Sequence, residues 1–265
     1  MLINLNKQKT KIKISENIDK IIIVCSHERS GTHFLMNSIS KNSNYTSDPF
    51  LNFDLIPLGD SINFYSKKNI KSFLKGLLNL KINNKHYMLS SIIKSHHPSY
   101  YFENLYNDNR FIFLYIHRNP IETLISFWRL VQNFDWHEGP YATTPLQFIK
   151  SKPEGQMMRY QKQTYTTIFE RWANHVLEWL EASKKNKNII LINFSDLNLN
   201  YNNALKFILK KINILEIPKL EMPSKEYVKG KDIDISKKNF QLFEEYINQN
   251  INKYPALKKL YSWTK

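Results

Sequence analysis

The chain has 265 residues, of which 42% are hydrophobic and 14% aromatic, and its formal net charge is +15. This length and apolar content suit one large domain with a full core and exclude an intrinsically disordered chain. The single cysteine, Cys25, excludes an internal disulfide and favours a reducing, cytoplasmic location.

The first 19 residues, 1–19, form a polar and basic lead-in, and the folded domain is expected over 20–265. The lead-in has no long apolar core and therefore does not resemble a signal peptide. Elsewhere no apolar run approaches the roughly 18 residues that a membrane-spanning helix needs. The sequence thus predicts no transmembrane segment.

A short apolar run, Ile21–Cys25, opens the domain with four consecutive β-branched residues, which is typical of a buried strand. A small polar loop follows at 28–32, and apolar residues then recur at helical spacing. A strand, a tight loop and a helix N-terminus form a common arrangement for binding an anion, because backbone N–H groups and the positive helix end point at it.

Further strands and helices alternate along the chain. Strands are predicted at 21–25, 87–94, 110–117 and 188–193, and helices at about 31–42, 66–80, 99–107, 120–133, 160–186, 200–212, 238–250 and 254–263. This alternation predicts a single α/β domain with a mostly parallel central sheet flanked by helices on both faces. Residues 135–160, which are rich in proline and glycine, are expected to form a long irregular loop, and 135–165 a substrate lid.

In open α/β sheets, ligands bind at the carboxyl ends of the strands. Three of the four predicted strand ends carry a cation or a histidine beside small polar residues. The first is the loop at 28–33, which lacks the Gly-Lys pair of a Walker A loop. Arg29 could replace that lysine as the charged clamp, with Ser30, Thr32 and backbone N–H groups as donors, or Gly31 could simply tighten an ordinary turn.

The second strand end lies in FIFLYIHRNPIETLISFW. Asn119 is a suitable N-cap, Pro120 suits the first helical position, and Glu122 stands three residues after the cap. Arg118 lies immediately before this helix start and Ser126 lies two turns along it. Arg118 could bind an anionic ligand, or it could only pair with a nearby carboxylate.

The third strand end is KSHHP at 94–98. A metal site is disfavoured here, because adjacent strand side chains point apart and no other ligating residue is near the histidines. One histidine acting as general base is more plausible, with Lys94 on the same face as His96. Farther along, YTTIFERWANHVLEWLEA indicates a helix that faces the core, and His175 on it is expected to be structural.

Taken in order, these motifs resemble the sulfotransferase family that uses 3′-phosphoadenosine-5′-phosphosulfate (PAPS). RSGTHFL at 29–35 is similar to the family's 5′-phosphosulfate loop, and RNPIETLIS at 118–126 to its 3′-phosphate motif. KSHHP is similar to the segment with the catalytic histidine, which gives that role to His96 rather than His97. The likeness covers about 20–215 and implies a P-loop-like phosphosulfate-binding strand, loop and helix.

The resemblance implies transfer of a sulfuryl group from PAPS to an acceptor hydroxyl or amine, with adenosine 3′,5′-bisphosphate (PAP) as product and no metal. It gives catalytic roles to His96, Lys94 and Arg29. The implied donor-binding residues are Arg29, Ser30, Gly31, Thr32, His33, Phe34, Arg118, Ser126, Phe194, Lys229 and Gly230. Of these, Phe34 and Phe194 would enclose adenine, and Lys229 and Gly230 only weakly match the family's C-terminal loop.

Two other functions remain open on sequence alone. A P-loop nucleotide kinase would need ATP and Mg²⁺, and the missing Gly-Lys speaks against it. A non-enzymatic nucleic-acid-binding protein would account for the charge of +15, but the lysines are scattered and arginine occurs only six times, which favours a compositional origin over a specific nucleic-acid surface. The composition mildly favours a carbohydrate or glycolipid acceptor over another small molecule, and the oligomeric state is open.

Overall fold

The computed structural model describes residues 2–5, 8–11, 20–47, 51–52, 80–82, 85–87, 91–214, 219–224 and 233–261. The strands are β1 (Leu2–Leu5), β2 (Gln8–Lys11), β3 (Ile21–Cys25), β4 (Leu51–Asn52), β5 (Leu80–Ile82), β6 (Lys85–Tyr87), β7 (Ile92–Ser95), β8 (Phe111–His117) and β9 (Ile189–Asn193). The helices are α1 (Thr32–Lys41), α2 (Pro120–Val131), α3 (Pro145–Lys150), α4 (Ile168–Lys185), α5 (Phe194–Leu199), α6 (Tyr201–Lys211), α7 (Lys237–Ile251) and α8 (Pro255–Tyr261).

Five of these strands form a central sheet in the order β4-β7-β3-β8-β9, and every pairing in it is parallel. The central strand β3 pairs with β7 on one side and β8 on the other, with Ile22 opposite Ile92 and Ile21 opposite Phe111. The carboxyl ends of β7, β3 and β8 therefore lie side by side at one edge of the sheet.

Helices cover both faces of this sheet, as the sequence predicts. The side chains of β3 alternate between the faces, so Ile21 and Ile23 enter one core and Ile22 and Val24 the other. The first core packs against α2, α4, α7 and α8, and the second against α1, α5 and α6. Because both faces are buried, β3 is apolar along its whole length, and β8 is apolar up to its last residue, His117.

Two predictions about strands need correction. The lead-in contains an antiparallel hairpin of β1 and β2, where only irregular chain was expected. The predicted strand at 87–94 is two strands, because β6 pairs with β5 as a hairpin and only β7 joins the central sheet. Ser91, which precedes β7, donates its backbone N–H to the Thr46 carbonyl and accepts from the Thr46 N–H with its hydroxyl.

Two predicted helices also differ. The stretch expected at 99–107 is a 3₁₀ helix, Ser99–Leu105, which begins directly after Pro98. The helix expected at 160–186 begins only at Ile168, because Thr167 is its N-cap and accepts a hydrogen bond from the backbone N–H of Glu170 at 3.0 Å. The Glu170 carboxylate in turn accepts from the N–H of Thr166, which completes the cap.

The segment 135–160 was expected to be irregular, but it contains α3 and a 3₁₀ helix, Gly155–Tyr160. Phe148 and Met157 from this segment are fully buried in the core shared by α2 and α4. Its middle and its C-terminal part are therefore anchored by apolar packing, and its role as a substrate lid stays a prediction.

Some predictions lie outside the described residues. These are most of the helix expected at 66–80, and both Lys229 and Gly230. Within the described ranges, no helix is long and apolar enough to cross a membrane.

Candidate active site

The site is built on the strand-loop-helix unit formed by β3 and α1. Gly31, the N-cap residue of α1, has a φ of 101°, in the left-handed region that favours glycine. Glycine has no side chain to cap the helix, so backbone N–H groups of the first turn face outward from the helix end. A Cβ on Gly31 would also lie 2.3 Å from Cδ2 of Phe194, which leaves room for no other residue.

Arg29, in the middle of this loop, connects the loop after β3 to helix α2, which follows β8. Its φ of 68° directs the chain through the left-handed region, an unusual conformation for a non-glycine residue. Its Nε donates a hydrogen bond to Oγ of Ser126 on α2 at 2.9 Å. Two motifs separated by 97 residues in the sequence are thus in direct contact.

Arg118 lies at the carboxyl end of β8, directly before the capped start of α2. Asn119 accepts from the N–H of Ile121 at 2.9 Å, which confirms it as the N-cap, and Pro120 begins the helix. The Arg118 Nε donates to the Glu122 carboxylate at 2.7 Å, and the guanidinium carbon lies 4.5 Å from the centre of the Phe194 ring. Arg118 therefore pairs with a nearby carboxylate, which is the alternative to anion binding that the sequence left open. It also contacts Phe194, and Phe194 in turn packs against Gly31 of the loop.

The two predicted adenine-binding rings, Phe34 and Phe194, do not form a parallel pair. Their centres are 6.2 Å apart and their planes meet at 67°, so they contact edge to face. Phe34 is also buried against Tyr201 of α6. Phe194 also packs against Gly31 of the loop, and the role of the two rings in binding adenine stays a prediction.

His96 follows β7 and is buried against the start of the loop after β3. Its Nδ1 lies 2.9 Å from the carbonyl oxygen of Ser26, and that oxygen can only accept a hydrogen bond. Nδ1 therefore carries the proton in the neutral ring, and Nε2 is the basic nitrogen. The Ser26 hydroxyl is 3.3 Å from the same Nδ1 and 2.6 Å from the Thr32 hydroxyl, so it links His96 to α1.

Electrostatics keep this imidazole neutral. Burial and the charge of Lys94 hold the pKa of His96 well below its usual value, while the carboxylate of Glu28 raises it. Partial desolvation, together with Lys94 and Arg29, lowers the pKa of His33 to about 4. Lys94 and Arg29 thus both act on His33 at the start of α1, and Lys94 also acts on His96.

Helix α4 positions the backbone of the histidine pair. His175 Nε2 lies 3.1 Å from the carbonyl oxygen of His96, and Trp179 Nε1 donates to the carbonyl of His97 at 3.2 Å. Because a carbonyl only accepts, His175 carries its proton on Nε2, and its Nδ1 accepts from the Tyr115 hydroxyl at 3.1 Å. His175 is therefore structural, as the sequence predicts.

One turn earlier on the same face of α4, Arg171 forms a buried ion pair with Glu28. Its Nη2 is 2.7 Å from Oε1 and its Nη1 is 3.1 Å from Oε2 of that carboxylate. Burial alone would raise the pKa of Glu28, but the charge and hydrogen bonds of Arg171, together with His27 and His96, outweigh burial and hold this pKa well below its usual range. Other donors of Arg171 reach Gln161, His27 and the Met157 carbonyl at 2.8, 3.0 and 3.5 Å.

Sequence reasoning missed this pair, although it offered one signal. Arg171 lies between Phe169 and Trp172 on a helix assigned to the core, and an arginine at such a position needs a buried partner. The partner, Glu28, is the first residue of the predicted loop, where only its neighbours Arg29 to His33 were singled out.

Of the predicted site residues, those within the described ranges gather at the carboxyl edge of β7, β3 and β8. Arg29 contacts Ser126, Arg118 contacts Phe194, Phe194 contacts Gly31 and Phe34, and His96 contacts the strand end that precedes the loop. Among the described residues, no group of three or more histidine, cysteine or acidic side chains could hold a metal ion.

A wholly parallel sheet with helices on both faces, and with a glycine loop and basic side chains at its carboxyl edge, defines a P-loop-like α/β protein. The family comparison makes this more specific, because the model of the sulfotransferase domain matches residues 19–253. The chain therefore belongs to the sulfotransferase family. A comparison with curated proteins finds no match.

Solved structures that match this chain include mouse sulfotransferase SULT7A1 complexed with PAP, at 18% identity and a TM-score of 0.47. That alignment covers 86% of this chain and 63% of the other. Retinol dehydratase in complex with androsterone and the inactive cofactor PAP gives 13% identity, a TM-score of 0.47, and coverage of 88% and 66%. This chain thus spans less than two thirds of the length of these proteins.

Proposed function

We propose that this protein transfers a sulfuryl group from PAPS to a hydroxyl or amine of an acceptor, with His96 as the base. The hydrogen bond between Arg29 and Ser126 is the observation that carries the proposal. It joins the loop that resembles a 5′-phosphosulfate site to the helix that resembles a 3′-phosphate site. One ligand with phosphates at both ends of a nucleoside could therefore contact both motifs.

The donor would be bound from two sides. The outward N–H groups of α1, the Ser30 and Thr32 side chains and Arg29 would hold the 5′-phosphosulfate. Arg118 and Ser126 would hold the 3′-phosphate, and that phosphate would compete with Glu122 for the Arg118 guanidinium. His33 would support the loop, Phe34 and Phe194 would contact adenine, and Lys229 and Gly230 would complete the 3′-phosphate site.

PAPS supplies an activated sulfuryl group whose leaving group is a phosphate. The side chains around it would act by positioning and by charge stabilisation, as in phosphoryl transfer. His96 would take the acceptor proton on Nε2, since Nδ1 donates to Ser26. Lys94 and Arg29 would stabilise negative charge on the sulfuryl oxygens and on the departing phosphate.

The proposed class of acceptor rests on exposed aromatic side chains. Trp136 and Tyr141, in the segment after α2, are exposed large rings, and Trp136 stacks on Phe134 with ring centres 4.1 Å apart. Exposed aromatic rings favour sugar or aromatic acceptors. A carbohydrate or glycolipid acceptor is therefore proposed, and a screen with labelled PAPS would identify it.

A thermal-shift panel separates this proposal from the two alternatives. A sulfotransferase is expected to be stabilised by PAP without added metal. A nucleotide kinase would instead respond to ATP with Mg²⁺, and a nucleic-acid-binding protein to an oligonucleotide with steep salt dependence. Stabilisation by either of the last two and not by PAP would overturn the proposal.

Arg118→Ala is expected to weaken PAP binding about 10- to 100-fold, because a charge-assisted hydrogen bond contributes roughly 1.5–3 kcal/mol. Binding of 5′-AMP, which lacks the 3′-phosphate, should change little. Isothermal titration calorimetry with both nucleotides measures the difference. Arg110→Ala is the matched control, because Arg110 pairs with Asp108 near the start of the same strand. Equal losses for both nucleotides would remove Arg118 from the 3′-phosphate site.

Gly31→Ala is expected to abolish PAP binding and to lower the melting temperature. The added Cβ would meet the Phe194 ring and would force a left-handed conformation on alanine, which costs roughly 1–2 kcal/mol on its own. Gly155→Ala is the control, because Gly155 also has a positive φ, 67°, and a crowded Cβ position, against the His137 carbonyl. It should lower the melting temperature while PAP still binds. Wild-type PAP affinity in Gly31→Ala would contradict the proposed loop.

A further inference from the structure

The buried ion pair of Glu28 and Arg171 connects the loop after β3 to helix α4. Glu28 stands two residues after Ser26, whose carbonyl orients His96, and directly before Arg29. Glu28 is 5% exposed, and its carboxylate accepts hydrogen bonds from two nitrogens of Arg171. The loop backbone is thus fixed to α4 at the point where it passes the base.

His27 strengthens this attachment. Its Nδ1 donates to the carbonyl of Glu28 at 3.0 Å, and its Nε2 accepts from Arg171 at 3.0 Å. Burial lowers the pKa of His27 to about 4, so this ring is neutral and does not compensate the carboxylate. The negative charge of Glu28 is therefore held beside His96 with Arg171 as its main cationic partner.

Several charged and polar groups lie near His96. Among the described residues they include Lys94 on β7, His27 and Glu28 on the loop, Tyr160 with its neighbour Arg159, and His175 on α4. A proton on His96 would create a second cation near Lys94 in a buried site, which is unfavourable unless a carboxylate offsets it. Glu28 is an acidic group whose charge raises the pKa of His96.

We propose that Glu28, clamped by Arg171, is a positioning residue that orients the Ser26 carbonyl toward His96 and stabilises the imidazolium formed during transfer. The inference rests on the proposed function. In the step concerned, the acceptor O–H proton moves to Nε2 as the acceptor oxygen bonds to sulfur. The bond from sulfur to the 5′-phosphate oxygen breaks, and its electron pair leaves with PAP.

Two variants test this role, Glu28→Gln and the double variant Glu28→Gln/Arg171→Met. The pKa of His96 is measured by ¹⁵N NMR of the imidazole, which needs neither donor nor acceptor. Without the carboxylate, this pKa is expected to fall by about one unit or more in both variants. In the pH profile of kcat/KM the acid limb should move to lower pH by the same amount, because the base must be neutral, and plateau turnover should fall about tenfold.

The double variant shows whether Glu28 acts on His96 or only stabilises the fold. It removes both charges together, so its melting temperature should return close to that of the wild type while turnover stays low. Wild-type turnover with an unshifted His96 pKa, in either variant, would overturn the inference. If the wild-type protein transfers no sulfuryl group, the proposed function fails, and the NMR titration still decides whether Glu28 acts on His96.

Discussion

His96→Ala is expected to lower the turnover of sulfuryl transfer about 10²- to 10⁴-fold, the usual contribution of a general base. The reason is geometric, because the Nδ1 hydrogen bond to Ser26 leaves Nε2 as the nitrogen that can take the acceptor proton. The affinity for PAP should stay near the wild-type value, since His96 is proposed to act on the acceptor. Release of PAP from PAPS, with any acceptor that the wild type sulfates, measures the loss.

The matched control is His97→Phe. His97 is equally buried and stacks on Tyr101 with ring centres 4.1 Å apart, and phenylalanine keeps a flat ring there. Its turnover should stay within about tenfold of the wild type.

In the wild type, kcat/KM should stay on its plateau below neutral pH, because the pKa of His96 is held below its usual value. Retained turnover in His96→Ala would remove this histidine from the base role.

Arg171→Met is expected to lower the free energy of unfolding by about 3–5 kcal/mol, the usual cost of leaving a buried charge without its partner. The residue left behind is Glu28, whose carboxylate Arg171 contacts with two nitrogens. Methionine keeps much of the apolar stem of arginine, so the lost charge accounts for most of the effect. Urea unfolding of the two proteins at pH 7 measures the difference.

The pH dependence of this loss gives a second check. In the wild type the pKa of Glu28 is depressed, so the ion pair stabilises the fold above the carboxyl's unfolded pKa, and this stability is lost as pH falls through the folded pKa. In Arg171→Met the unpaired carboxyl takes up a proton more readily, and the difference should shrink near pH 4. Arg110→Met removes the partly exposed pair with Asp108 and should cost less than about 1 kcal/mol. An equal loss of unfolding free energy in Arg171→Met and Arg110→Met would contradict the claim that burial makes the Glu28–Arg171 pair the stronger one.

The fold could be predicted where local signals agree. The β-branched run Ile21–Cys25, and the Asn119 cap with Pro120 after it, define a strand and a helix start that the structure confirms. Prediction failed where tertiary packing decides the outcome. The prolines and glycines of 135–160 indicate a loop, yet Phe148 and Met157 anchor this segment in the core.

The site was predictable in its location and only partly in its contacts. Parallel strands bring their carboxyl ends to one edge, so Arg29, His96 and Arg118 had to lie near one another once the strands were identified. The sequence could not show that Arg118 pairs with Glu122 or that Phe34 and Phe194 meet edge to face. Such contacts depend on side-chain rotamers and on burial, which spacing in the sequence does not determine.

A crystal structure of the protein with PAP tests the central claim most directly. The claim is that cationic side chains at adjacent strand ends bind one bisphosphorylated adenosine. The 5′-phosphate should lie at the N-terminus of α1 beside Arg29, and the 3′-phosphate should contact Arg118 and Ser126. A nucleotide bound elsewhere, or bound with Arg29 and Arg118 directed away from it, would contradict the assignment of this site.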